Sequence, residues 1–199
     1  DSLEEADVVL FNTCSVRDHA EERTMSWVGE LKRLKKERPE LVVGVMGCMA
    51  QRMGEEIFQR AGHVDLVAGT RQFAQLPNLV DEVRRRRAGG ERQVRLTALS
   101  MDDRLLLDRD DEPYDGGVHA YLTVMRGCDL NCTYCIVPTV RGRVLSYPID
   151  TVVKEARHYV AQGAKVLTLL GQTVNSWGED LPAPAAGEKQ WSGRQGRPG

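Results

Sequence analysis

Apolar residues in this chain gather in short compact runs, separated by longer stretches where they recur every three or four positions. DVVLFNT (7–13) is too short for a buried helix and rich in Val, which predicts a buried strand. From 16 to 38, helix formers surround apolar positions at Val16, Ala20, Met25, Val28, Leu31 and Leu34, and Pro39 ends the predicted helix. LVVGVM (41–46) predicts a second strand, GEEIFQRAG (54–62) a second helix closed by Gly62, and VDLVAG (64–69) a third strand. Residues 75–87 make an amphipathic helix through Leu76, Leu79, Val80 and Val83. Strands alternating with helices predict an α/β unit with a parallel sheet covered on both faces.

The pattern changes after Arg84. Four consecutive arginines (Arg84 to Arg87) precede Gly89 and Gly90, then an acid-rich stretch with Asp102, Asp103, Asp108, Asp110, Asp111 and Glu112. Residues 88–117 therefore read as a linker between a first domain over 1–87 and a second over 118–180. The arginines fit a solvated helix end facing the negative end of the helix dipole better than an RNA contact. The second segment opens with a strand at HAYLTVMR (119–126), followed by a cysteine loop, a helix from 150 to 162 and a strand at KVLTLL (165–170). Gly171 to Trp177 then forms a loop. From 181 the chain is Pro-, Gly- and polar-rich without periodicity, which predicts a disordered tail over 181–199.

Composition narrows the function classes. The 199 residues carry a net charge of −2 and are 41% hydrophobic, which excludes both a wholesale basic nucleic-acid coat and a disordered chain. No apolar run approaches the roughly 18–20 residues that span a bilayer, and no signal peptide opens the chain, so a soluble, cytoplasmic protein is expected. The chain starts at Asp1 rather than Met, and an incomplete protein is expected. Five cysteines without a secretory signal read as metal ligands before a disulfide framework.

Cys128, Cys132 and Cys135 lie in RGCDLNCTYC directly after a predicted strand. Three thiolates on one short loop reach three corners of a cubane iron–sulfur cluster and leave the fourth iron open to an exogenous ligand. The competing reading is zinc, which needs a fourth Cys or His. His119 and His158 do not complete a familiar zinc spacing. Cys14 and Cys48 each follow a predicted strand, at the carboxyl edge where doubly wound sheets bind ligands. Each alone reads as a buried core cysteine. Together, at equivalent positions of successive βα units, they point to a shared metal whose third ligand comes from elsewhere.

NTCSVR (12–17), GCMAQR (47–52), VDLVAGTRQF (64–73), RGCDLNCTYC (126–135), VPTVRGR (137–143) and LLGQTVNSW (169–177) together resemble the radical S-adenosylmethionine (SAM) methylthiotransferases, most of all the MiaB-type tRNA-modifying branch. The resemblance implies an N-terminal parallel-sheet methylthiotransferase domain followed by the first βα units of a radical-SAM partial TIM-type barrel. It implies two 4Fe-4S clusters: one on Cys128, Cys132 and Cys135 that binds SAM, and an auxiliary one with Cys14 and Cys48 as two of three ligands. The implied reaction abstracts hydrogen from adenine C2 of isopentenyladenosine beside the tRNA anticodon and adds a methylthio group there. It calls for a tRNA substrate and a low-potential electron donor, with no membrane, and the enzyme is expected to be a monomer. Tyr134 holds the aromatic position before the last cysteine, and Gln172 and Asn175 are implied cofactor-side polar groups, with loop capping as their alternative. Arg141 is read as meeting cofactor carboxylate or RNA phosphate, or else as making a surface salt bridge.

The chain departs from the family after Gly142, where Arg143, Val144, Leu145, Ser146, Tyr147 and Pro148 replace an acidic residue followed by Ser-Arg-Pro. The rest of the barrel, the third auxiliary cysteine and the family's RNA-binding β-domain are expected to be missing, so this fragment is expected to be inactive alone. Two sibling activities stay open, on threonylcarbamoyl-adenosine or on a ribosomal-protein aspartate. A non-catalytic iron–sulfur or zinc-binding module is the alternative of another class.

Overall fold

The computed structural model describes residues 3–15, 18–101, 116–130 and 132–182. Val16, the acidic part of the predicted linker (102–115) and the predicted disordered tail from 183 lie outside the described residues.

The first unit runs β1 (Val8–Thr13), α1 (Asp18–Glu37), β2 (Val42–Gly47), α2 (Cys48–Met53), α3 (Glu56–Arg60), β3 (Leu66–Ala68), a 3-10 turn at Phe73–Gln75, α4 (Leu76–Ala88) and β4 (Leu96–Ala98). The four strands form one parallel sheet in the order β1-β2-β3-β4. Side chains alternate across a strand, so neighbouring residues of β2 serve different layers. Val43 and Val45 pack with Val28 and Leu31 of α1 and with Ile57 and Phe58 of α3. Val42 joins Leu66, Val80 and Val83 in a second cluster with α4. Helices thus cover both faces, as the pattern predicts.

Two elements differ from the sequence reading. Leu96–Ala98, inside the segment read as linker, is a strand paired with β3 from Leu66↔Leu96 to Ala68↔Ala98. Helix α2 starts at Cys48, directly against β2, ahead of the helix predicted from Gly54. Both are too short, at three and six residues, to show a period.

At the amino end of β3, Asp65 is buried (5% side-chain exposure) among opposite charges. Its Oδ2 accepts from Lys35 Nζ at 2.8 Å and from the Val43 amide at 2.8 Å, and its Oδ1 accepts from Arg87 Nη2. Burial pushes the Lys35 ammonium below its ordinary pKa, partly offset by the hydrogen bond and charge of Asp65. The arginine run thus divides: Arg85 and Arg86 pair with Glu82 at the surface, whereas Arg87 reaches inward to Asp65 and to the carbonyls of Glu40 and Leu41.

The second unit contains β5 (His119–Thr123), β6 (Met125–Arg126), α5 (Val137–Arg141), β7 (Leu145–Ser146), α6 (Ile149–Ala161), β8 (Val166–Leu170) and a 3-10 turn at Val174–Ser176. The single strand predicted over 119–126 divides at Val124 because the chain changes partner there. Strand β5 pairs in parallel with β8, and β6 pairs antiparallel with β7. The Val124 amide donates to Leu170 O, and its carbonyl accepts from the Tyr147 amide, each at 2.9 Å. One face of β5, through Ala120 and Leu122, packs on Val152, Ala156 and Tyr159 of α6, a helical i, i+4, i+7 stripe. The parallel β5–α6–β8 unit has the βα arrangement expected for the opening of a barrel. Among the described residues no helix is long and apolar enough to cross a membrane.

Candidate functional site

The cysteine loop is a flap between β6 and β7, pinned at its base by Met125↔Ser146 and Arg126↔Leu145. Strand β7 is itself stitched to the end of the described chain. Ser146 N donates to Asp180 Oδ2 at 2.7 Å, and the Trp177 indole donates to Tyr147 O at 3.1 Å. Gly127 opens the flap with φ +73°, and a Cβ there would lie 2.0 Å from Arg143 O. Only glycine accepts both that conformation and that closeness. Gly127→Ala is therefore expected to displace the loop and weaken iron retention about tenfold, in the range for disturbed second-shell groups, while the first unit's unfolding transition stays where it was. Iron per chain after anaerobic reconstitution, with a thermal melt, checks this.

Cys128 is buried, Cys132 exposed and Cys135 half-buried; Asn131 between them lies outside the described residues. The Cys128 amide donates to Gly142 O at 3.1 Å, and Thr173 Oγ1 lies 3.9 Å from Cys128 Sγ as a donor. Cys14 and Cys48 follow the last paired residues of β1 and β2, Thr13↔Gly47, on adjacent parallel strands. Their predicted placement at one sheet edge is what the topology gives. Cys48 is only 4% exposed and Cys14 is exposed. Arg141 Nε donates to Cys48 Sγ at 3.4 Å, so an arginine from the second unit faces a cysteine of the first.

Between the two sheets' carboxyl ends lies a cavity of about 400 Å³. Thr13, Cys48, Thr70 and Arg71 line it from the first unit, and Thr123, Arg126, Arg141 and Gln172 from the second. Arg126 Nε and Gln172 Oε1 are buried there with no hydrogen-bond partner. An unmet donor and an unmet acceptor in one cavity suit a polar ligand, because burial without a partner costs about 1–3 kcal/mol per group. Burial, and then the charge of Arg126, push the Arg71 guanidinium below its ordinary pKa.

The predicted site residues divide accordingly. Gln172 and Arg141 line the cavity with Cys48. Asn175 is exposed in the 3-10 turn, and Tyr134, 91% exposed, stands out from the cysteine loop. Arg71, Thr70, Arg126 and Thr173 were not singled out from the sequence. In the sequence GTRQF is legible only as part of a motif that assigns its arginine no role.

The donor set suits iron. Cys128, Cys132 and Cys135 offer three soft sulfur ligands within eight residues, with the Thr173 hydroxyl directed at the first sulfur. Among the described residues, no three His, Cys, Asp or Glu side chains are drawn close enough together to hold an ion.

Residues 1–69 match the family described as "Uncharacterized protein family UPF0004", and residues 122–183 match the radical SAM superfamily. The chain is 42% identical over 181 residues (91% of this chain, 40% of the relative) to the tRNA-2-methylthio-N(6)-dimethylallyladenosine synthase of Sulfurihydrogenibium sp.. It is 45% identical over 174 residues to the synthase of the same name from Dichelobacter nodosus (87% and 37% covered), and 41% identical over 177 residues to that of Escherichia coli (89% and 36%). The chain thus spans about two fifths of the length of these relatives. Among solved structures, the radical S-adenosylmethionine methyltransferase TsrM from Kitasatospora setae, with tryptophan and a SAM analogue bound, aligns with TM-score 0.50 at 16% identity. The alignment covers 83% of this chain and 36% of that one, a likeness of fold alone.

Proposed function

We propose, from a chain whose residues 122–183 match the radical SAM superfamily, that it forms the cofactor-binding part of a tRNA methylthiotransferase. The substrate is the adenosine next to the anticodon that carries an isopentenyl group, and the product carries a methylthio group at adenine C2. The carrying observation is one cavity shared by the carboxyl ends of two sheets, with Cys48 on one side and Gln172 and Arg126 on the other. Methylthiolation needs a sulfur-bearing centre and a SAM-bearing centre to face the same substrate atom. Cys48 lines this cavity, and the loop of Cys128, Cys132 and Cys135, whose cysteines do not line it, begins directly after Arg126, which does.

In this reading Cys128, Cys132 and Cys135 hold a 4Fe-4S cluster and leave one iron for SAM. A cluster held there would supply the electron needed for SAM cleavage, drawn from a low-potential donor. Cys14 and Cys48 are two ligands of an auxiliary 4Fe-4S cluster. Gln172 Oε1 and Arg126 Nε meet the polar groups of SAM, an acceptor for its ammonium and a donor for its carboxylate. The backbone of Gly171 and the side chain of Met125 line the same wall and keep water from the reacting atoms. Asn175 and Tyr134 are read as cofactor-side groups. The protein acts in the cytoplasm as a monomer.

Zinc is disfavoured by the position of the nearest histidine. His119 starts β5, at the end of the strand away from the cysteine loop, and its Nε2 lies 2.6 Å from Thr168 Oγ1. Exchange of residues 1–180 into the full-length Escherichia coli relative tests the function. The chimera is expected to restore methylthio-isopentenyladenosine in tRNA of a strain lacking its own enzyme, and to lose it with Cys128→Ala. A chimera that loads iron but leaves that nucleoside unmodified overturns the reading. Modification of threonylcarbamoyl-adenosine or of a ribosomal-protein aspartate instead would also overturn it, in favour of the sibling activity.

A further inference from the structure

A helix leaves its last carbonyls without amide partners of its own. At the end of α5 the other unit supplies them. Thr70 Oγ1 donates to Val140 O at 2.6 Å, and Arg71 donates to Arg141 O from Nε at 3.1 Å and from Nη2 at 2.9 Å. Nη2 also reaches Arg143 O at 3.0 Å, and Nη1 reaches Met101 O at 3.3 Å. The residue that receives the guanidinium is Gly142, with φ +75°, where a Cβ would lie 2.6 Å from Arg71 Nη2. Gln72 Nε2 fixes the other flank by donating to Ser100 O at 2.6 Å. Arg71 is 3% exposed, so its planar fork is held from several sides rather than wandering at a surface.

We propose that the Gly69–Gln72 loop is a clamp between the two units: Thr70 and Arg71 cap α5 from across the boundary and thereby aim Arg141 at the sulfur of Cys48. Thr70 and Arg71 are positioning residues. They act through the backbone of residues 140–143, and Arg141 is the side chain that arrives. The guanidinium covers the Cys48 sulfur, and on an iron ligand a charged donor shifts the cluster's potential. That last consequence rests on the function proposed above; the clamp itself does not.

Amide hydrogen exchange by mass spectrometry on the whole 199-residue chain, with no metal added, tests the clamp. Arg71→Ala is expected to speed exchange over residues 137–144 about tenfold or more, and to speed alkylation of Cys48 by iodoacetamide, while β2 amides keep their protection. Thr70→Val removes one bond and keeps the shape, and Arg71→Lys keeps charge without the fork; both are expected to give smaller increases in the same segment. These two variants decide the matter if Arg71→Ala fails to fold. Unchanged exchange over 137–144 overturns the proposal. So does an equal rise throughout the first unit, which would make Arg71 a general stabiliser. Failure to bind iron would sink the proposed function and leave these readings untouched.

Discussion

Replacing Asp65 with Ala is expected to destabilise the first unit by about 3–5 kcal/mol, the range for removing one partner from a buried ion group. The carboxylate is met by Lys35, Arg87 and the Val43 amide. Without it, two cationic side chains, only 13% and 16% exposed, are left facing each other. Domains have about 5–15 kcal/mol in total, so the loss is a large share. Asp65→Asn keeps an acceptor for Val43 and is expected to cost less. The pH dependence has a definite sign. Burial already lowers the Lys35 pKa, and losing Asp65 removes the groups that offset it. The unfolded chain then holds a proton on Lys35 over a pH range in which the folded variant has released it. Stability of the variant therefore rises with pH towards the ordinary lysine value of about 10.4, and its deficit narrows. Urea unfolding at neutral and alkaline pH measures both effects. A variant within about 0.5 kcal/mol of the parent, as for an ordinary surface substitution, would contradict this account.

The second large effect concerns the cysteine loop. Single replacement of Cys128, Cys132 or Cys135 by Ala is expected to abolish retention of the first iron–sulfur cluster, because a cubane already held by only three thiolates has no ligand to spare. The fold should survive. Cys132 is exposed and Cys135 half-buried, so their removal opens little core space, and Cys128→Ala removes one small buried group. Iron and sulfide content, with far-ultraviolet circular dichroism as the fold control, separates loss of ligand from loss of structure. Cys14→Ala should leave this cluster's signature intact. Equal iron in parent and all three loop variants would contradict the assignment.

The two kinds of prediction rest on features of different legibility. The cysteine loop was readable because its chemistry is local: three ligands within eight residues imply a metal whatever surrounds them. The β2 and β3 runs were readable because each is buried on both faces, which leaves an unbroken apolar signature. Strand β1, expected to be buried, is an edge strand with Leu10 and Asn12 exposed and was readable from its Val-rich run alone. Strand β4 was not, since LTA (96–98) is three residues long in a polar stretch and becomes a strand only because β3 offers an edge. Asp65 looked like an ordinary residue before a strand, and its meaning comes from partners 22 and 30 positions away. Arg71 is the strongest case, for its acceptors lie 70 and 72 residues later. Spacing along a chain carries no information about carbonyls brought in by tertiary packing.

The most direct measurement is electron paramagnetic resonance of the anaerobically reconstituted, chemically reduced chain, recorded with and without SAM and paired with metal analysis. About four iron and four sulfide are expected on the Cys128–Cys135 loop, with a cluster signal that changes when SAM reaches the open iron. About one equivalent of zinc with no iron, or an iron signal indifferent to SAM, would contradict this expectation.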